Sequence, residues 1–363
     1  MQVDPVRYAL YEKEAPELLK AVTSGEAEHI MARDPATDYC VKFENGLCGI
    51  HKTRGTAFLG DTCHFFPRVT RRYGDTMLQS AALSCPEITR LTLYGDAPFA
   101  PVEIASDRIP VEIRDYLPEG LTGEQCMKVT RAFVDACDDA GVTAERVLMR
   151  IITAAHSLHM IAQKDWPDAA GFMLRTADSR LVPPEPNDFD NYRLAQILEA
   201  LVGAAKPVAR PRLDETRQAI LHMLEIRIAA NSYDIISATG SFTQSDAAWQ
   251  RWNESGARAA MDPILKRWIQ AQITMSGLPF AGFGRNLPER ATILAVRFAT
   301  LRLALMSAMG EDGTPPSDEA IVRIVQGLSR FLDHLSDPQF SILAYHEAGW
   351  LTLGGLRGLI RDL

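Results

Sequence analysis

The chain has no cysteine after Cys137, no leading apolar segment, and no apolar run of the roughly 18 residues that would span a bilayer. Its start, MQVDPVRYALYEKE, is polar from the second residue. A basic stretch followed by an apolar one, as in a secretory leader, is therefore missing, and the expectation is a cytoplasmic protein with no membrane association. Basic residues are outnumbered, 38 against 46 acidic, for a net charge of -8. That balance disfavours a broad phosphate-binding face and points to a protein or small-molecule partner, with no nucleic acid. Several catalytic signatures are missing as well: the G-x-S-x-G elbow, the Walker A lysine motif, a strand-borne G-x-G-x-x-G, and the C-x3-C-x2-C triad of radical S-adenosylmethionine enzymes. Residues 277–284 are rich in glycine but lie between two helical patterns, so they read as a helix-to-helix turn. Neither a fixed-period repeat nor a low-complexity tract occurs.

What is present is a confined thiol chemistry. Cys40, Cys48, Cys63 and Cys85 form the set C-x7-C-x14-C-x21-C in a segment, 34–98, rich in Gly, Asp, Thr and Pro. Such a segment buries little apolar surface and commonly needs a staple. In a reducing compartment, clustered cysteines bind metal or do chemistry more often than they form disulfides. Four thiolates suit a tetrahedral zinc or an iron-sulfur cluster. The bland alternative is four small buried hydrophobes, since no C-x2-C pair occurs. His51 and His64 could each stand in for a cysteine ligand, against the commoner reading of exposed loop histidines. Cys126 and Cys137 read as core thiols on a helix.

Other candidates are weaker. His156 and His159 are helix neighbours without a matching carboxylate. His346-Glu347 opens an H-E pair, but Trp350 stands where the second histidine of a metalloprotease would be. Arg330 and His334, with Asp333, could face an anion or simply offset a helix macrodipole. Arg68, Glu87 and Arg90 flank the cysteines as possible ion-paired supports or ordinary surface pairs.

Apolar periodicity predicts helices over 6–23, a weaker one ending near 33, then 122–140, 143–163, 192–205, 213–230, 246–275 with a break near Pro263, 288–309 and 317–335. Thr143 and Ser317 are expected N-caps. Residues 40–43 and 77–83 read as extended, 98–120 as a proline-marked connector, and 176–190 as a polar loop. The expected fold is mainly α: a helical domain, 106–363, with a small irregular Cys-bearing N-terminal module with leading helices, 1–105.

Taken in order, GLCGIHKTRG, FLGDTCHFFPR and LQSAALSCPEITRLTL resemble the cysteine-rich region of the flagellin lysine-N-methylase family. The likeness continues more weakly through RATILAVRFATLRLAL and IVRIVQGLSRFLDH. Members carry a further cysteine-rich stretch ahead of a segment like VDPVRYALYEK, where this sequence starts. The resemblance therefore raises two expectations: a start lying upstream, or a member with half the usual cysteines whose remaining four hold one centre. It implies a protein-lysine N-methyltransferase with S-adenosylmethionine as methyl donor, flagellin as protein substrate, and a cluster, or zinc, at Cys40, Cys48, Cys63 and Cys85. The alternative is a non-catalytic, metal-stapled adaptor that binds flagellin or a flagellar assembly factor.

Overall fold

Proline sets the first break in the chain. In the computed structural model, which describes residues 2–24, 29–35, 40–45, 47–96, 98–104, 108–110, 113–185, 190–204, 211–228, 235–238, 243–332 and 338–361, strand β1 (Gln2–Val3) leads into helix α1 (Pro5–Glu14). Asp4 caps α1, its carboxylate accepting from the Arg7 N–H at 3.0 Å. Ala15, just before Pro16, leaves the helical region at φ -150°, as residues preceding proline do. The single helix expected over 6–23 is thus split. A 3-10 turn, Pro16–Ala21, follows, and then strand β2 (Val22–Ser24). The pattern ending near residue 33 is likewise a strand, β3 (His29–Met31), paired antiparallel with β1 on one side and β2 on the other. β4 (Phe43–Glu44) and β5 (Leu47–Cys48) pair as a hairpin, followed by α2 (Gly49–Arg54) and α3 (Asp61–Phe65).

These elements belong to the first of two compact units, Met1–Thr70 with Val102–Arg114; the second is Arg71–Pro101 with Asp115–Leu363. The chain therefore passes between units at three places, where the sequence suggested a single boundary near 105. Val3, Tyr11, Ala15, Leu18, Met31, Ile50 and Leu59 form the core of the first unit, and Cys40, Cys48 and Cys63 pack against it.

In the second unit, β6 (Arg68–Tyr73), which begins before the division, pairs with β7 (Thr76–Ala81) and precedes α4 (Pro86–Tyr94). Among the described residues the rest is helical, apart from one short antiparallel strand pair. In order come α5 (Gly123–Asp135), α6 (Ala144–His159), α7 (Trp166–Arg175), α8 (Asp190–Ala204), α9 (Pro211–Met223), β8 (Ile226–Ile228), β9 (Ile235–Ala238) and α10 (Thr243–Glu254). They are followed by α11 (Ala257–Ser276), α12 (Leu287–Ser307), α13 (Asp318–Leu332), α14 (Pro338–Glu347) and α15 (Leu353–Ile360). The chain is mainly helical, as its periodicity implies. α12 is apolar on nearly every face and buried along its length, the signature of a central helix; α6, α9, α13 and α15 pack around it.

Local chemistry explains where the elements depart from expectation. α10 and α11 part at Gly256, whose left-handed φ of 85° suits glycine, rather than near Pro263. Pro263 stays inside α11, and Ala259, whose carbonyl loses a donor to it, is exposed to water. The helix expected to reach 230 ends at Met223; Glu225 turns left-handed at φ 55° and β-branched Ile226 and Ile228 enter β8. Helix α7 was not expected, because Pro167 and Gly171 mask a pattern of buried Trp166, Ala170 and Leu174. Pro167 costs nothing in the first turn, and the Trp166 indole N–H donates to the Leu158 carbonyl at 2.9 Å. Thr143 and Ser317 cap as expected, accepting from Arg146 N and Ala320 N.

Cys126 and Cys137 are core thiols of this unit. Burial, and secondarily the Asp115 charge, pushes the Cys126 thiol up to about 11 from 9.0, and burial raises Cys137 too. Raised thiols keep their protons in the folded state after the unfolded state has lost them. Their contribution to stability is therefore intact below pH 9 and lost as pH climbs from 9 through 11. The fall in unfolding free energy over that window should be shallower in Cys126→Ala than in the parent, by up to ~1.4 kcal/mol per pH unit. Parallel urea-unfolding slopes for the two proteins would refute it.

Candidate functional site

Hairpin register brings the first two cysteines together. Phe43 pairs with Cys48 across β4 and β5, and Cys40 forms an isolated antiparallel bridge with Arg33. The Phe43 N–H returns to the Cys40 carbonyl at 2.8 Å, and the Lys42 N–H points at the Cys40 sulfur at 3.4 Å. Gly49 lets the turn close: a side chain there would begin 3.3 Å from the Lys42 carbonyl, which accepts the Gly49 N–H at 2.7 Å. Cys48 is the N-cap of α2, and Cys63 lies on α3. Gly60, just before α3, admits β1, because a Cβ would stand 2.8 Å from the Gln2 carbonyl.

The three thiols line one cavity of about 210 Å³, together with Tyr11, Lys42 and His51; Val3, Met31, Ile50 and Leu59 form its apolar wall. Every wall residue belongs to the first unit. Burial raises the Cys63 thiol above its ordinary range, and negative charge on Cys48 and Cys40 raises it further. Tyr11 is a donor rather than a base: its hydroxyl gives its hydrogen to the Phe58 carbonyl at 2.6 Å, and burial, then the Cys63 charge, pushes it up to about 12. Among the described residues no three His, Cys, Asp or Glu side chains gather as they would around a single metal ion. The three cysteines instead line a pocket several times the ~30 Å³ share of one water in the liquid.

Cys85 belongs to the second unit, where it is the N-cap of α4 and its carbonyl accepts the Thr89 N–H at 3.0 Å. His64 follows Cys63 on α3, its ring edge-on to Phe65 at 4.8 Å. Arg68 braces that helix, donating to the His64 carbonyl at 2.7 Å and lying over the Phe65 ring. Glu87 and Arg90 form an exposed pair at 2.5 Å, of the kind that contributes little. His156 and His159 end α6, and burial lowers the His156 imidazole, with His159 adding to the effect. His346 and Glu347 end α14, while the Trp350 indole N–H donates to buried Asp190 at 2.9 Å. Arg330 is exposed on α13; Asp333 and His334 lie outside the described residues.

One supporting residue carries no local signal. Arg108, from the segment that returns to the first unit, donates to the Leu59 carbonyl at 2.8 Å. Its guanidinium also pairs with Asp4 at 3.4 Å and with Asp61. It thereby ties the cap of α1 to the start of α3 beside the Leu59 and Gly60 wall. Only a contact across 104 and 47 residues reveals it.

No protein-family model matches the sequence, and no solved structure matches it. Over 46 residues the chain is 41% identical to the Flagellar biosynthetic protein FliU of Salmonella muenchen. That stretch is 13% of this chain and 27% of the other, so the chain spans about a quarter of the length of this curated relative. No helix among the described residues is long and apolar enough to cross a membrane.

Proposed function

We propose that this protein is a cytoplasmic protein-lysine N-methyltransferase that acts on flagellin with S-adenosylmethionine as methyl donor, and that its first unit holds an iron-sulfur cluster. The observation that carries the flagellar assignment is the 41% identity over 46 residues to a protein named for flagellar biosynthesis. Lysine methylation is what the resemblance of the ordered segments around Cys48, Cys63 and Cys85 to the flagellin lysine-N-methylase family implies.

The donor set favours a cluster over zinc. A single zinc sits about 2.3 Å from each sulfur, which draws its ligands to a point. Cys40, Cys48 and Cys63 stand around a cavity with room for a polyatomic group. Thiolate sulfur is the donor that iron-sulfur clusters require, and the wall of Val3, Met31, Ile50 and Leu59 would keep water from them. Lys42 offsets the negative charge that bound thiolates bring into the pocket. When bound, the cluster would tie the β4–β5 pair, α2 and α3 together through Cys40, Cys48 and Cys63.

S-Adenosylmethionine supplies an electrophilic methyl on its sulfonium. The accepting lysine must be neutral, because its ammonium has no lone pair, so its proton has to leave before the nitrogen attacks the methyl carbon; the N–C bond then forms as the S–C bond breaks, and S-adenosylhomocysteine leaves as a neutral thioether. The excess of acidic side chains favours the approach of lysine-bearing surfaces over that of acidic ones.

Intact-mass measurement of flagellin coexpressed with the chain tests this reading. Methyl increments are expected with the parent, and a drop of about tenfold or more in the methylated fraction with Cys63→Ser. Unmodified flagellin beside soluble, iron-loaded protein would shift the reading to the non-catalytic adaptor.

A further inference from the structure

The sequence offered Cys85 as the fourth ligand, but Cys85 belongs to the second unit, while the thiol cavity is walled by the first alone. A cluster held by Cys40, Cys48 and Cys63 needs one more donor. We propose that His51 is that donor, completing a Cys40, Cys48, Cys63 and His51 set contained entirely in the first unit; this rests on the cluster reading above.

Three observations point to it. His51 lines the same cavity as the three cysteines. It stands three residues after Cys48, the N-cap of α2, so the two share the first turn of that helix. The resulting C-x2-H spacing falls within the short separations by which metal-binding loops chelate. Among the described residues, the His51 ring has no hydrogen-bond partner that would hold it elsewhere.

The remaining polar wall residues are poorer candidates. The Tyr11 hydroxyl is committed to the Phe58 carbonyl. Lys42 carries a charged ammonium without a lone pair, and the amide of Gln2 is a hard donor poorly matched to cluster iron. Imidazole is an attested ligand of iron-sulfur iron, and its replacement of thiolate raises the reduction potential, because a neutral ligand leaves the cluster less negative. His51 is also exposed, so the iron it holds faces the mouth of the cavity.

The test uses the full chain, reconstituted anaerobically with ferrous iron and sulfide, as parent, Cys85→Ser, His51→Ala and His51→Cys, with circular dichroism confirming that each folds. Iron and sulfide per chain, the midpoint potential, and pulsed electron paramagnetic resonance of the reduced cluster are the readouts. The parent and Cys85→Ser should both keep the cluster and show the strong coupling of an iron-bound imidazole nitrogen. His51→Ala should lose that coupling and retain iron about tenfold more weakly against a chelator. His51→Cys should keep iron, lose the coupling and shift to lower potential. A loaded parent without nitrogen coupling, or a Cys85→Ser protein that loses iron while His51→Ala keeps it, overturns the assignment and leaves the cluster reading standing. A parent that takes up no iron and sulfide, or holds zinc alone, overturns both.

Discussion

Replacing Arg108 by alanine is expected to destabilise the first unit by about 3–5 kcal/mol and to open the wall of the thiol cavity. The guanidinium is 10% exposed and faces two carboxylates, Asp4 at 9% and Asp61 at 22%. Removing it leaves both anions in a poorly hydrated site and strips the Leu59 carbonyl of its donor. The stacking of Arg108 over Phe65 goes as well. Lysine should recover only part of the loss, because a point charge cannot serve Leu59, Asp4 and Asp61 as a planar fork does. Urea unfolding, together with the rate at which a thiol reagent reaches Cys40, Cys48 and Cys63, measures both effects. Arg108→Ala combined with Asp61→Asn should cost less than the sum of the two single changes, since the charge left behind by one is removed by the other. A parent-like midpoint and parent-like thiol protection would show that Arg108 does not anchor the returning segment.

The helical character was legible because α5, α6, α12 and α13 each repeat apolar residues at helical spacing over three or more turns. Elements whose start or end depends on one backbone angle were not. Ala15 before Pro16, Gly256 at φ 85° and Glu225 at φ 55° each end or divide a segment whose side-chain pattern continues smoothly. In α7 the reverse holds, since Pro167 and Gly171 look like breakers but occupy places the helix tolerates.

The candidate site was half legible for a similar reason. Confinement of thiols to the N-terminal region can be counted, but which of them meet is decided by strand register and by two close backbone approaches. Phe43 opposite Cys48 and the bare Cα positions at Gly49 and Gly60 bring Cys40, Cys48 and Cys63 to one cavity. Nothing in the spacing tells which cysteines share that cavity; Cys85 falls in the second unit, because the chain leaves the first at residue 70. The C-x2-H spacing of Cys48 and His51 was present throughout, and it gains meaning once the cavity is seen.

The second large effect is expected in α12, where Arg302→Leu should cost about 2–6 kcal/mol. Arg302 is 2% exposed on the central helix, yet among the described residues its guanidinium has no carboxylate in hydrogen-bonding contact. Instead it donates to the carbonyls of Leu359, at 2.9 Å, and Ile360, the last residues of α15. It also lies over Trp249 and Phe298 at 4.9 and 5.9 Å. A cation there meets the negative end of the α15 dipole and satisfies two carbonyls that have no intrahelical donor. Burial pushes the guanidinium down to about 10, with Glu145 opposing that shift, so it stays charged at neutral pH. Leucine fills much of the volume but supplies no donor, and each orphaned buried carbonyl costs about 1–3 kcal/mol. Lysine should do little better, since one ammonium can neither bridge both carbonyls in the same plane nor stack as the guanidinium does. Hydrogen exchange should accelerate first across Leu353–Ile360 and only later in α12, because α15 loses its anchor while α12 keeps its apolar packing. Unchanged protection in α15, with a urea midpoint within ~0.5 kcal/mol of the parent, would mean that water replaces the guanidinium and that Arg302 serves another purpose.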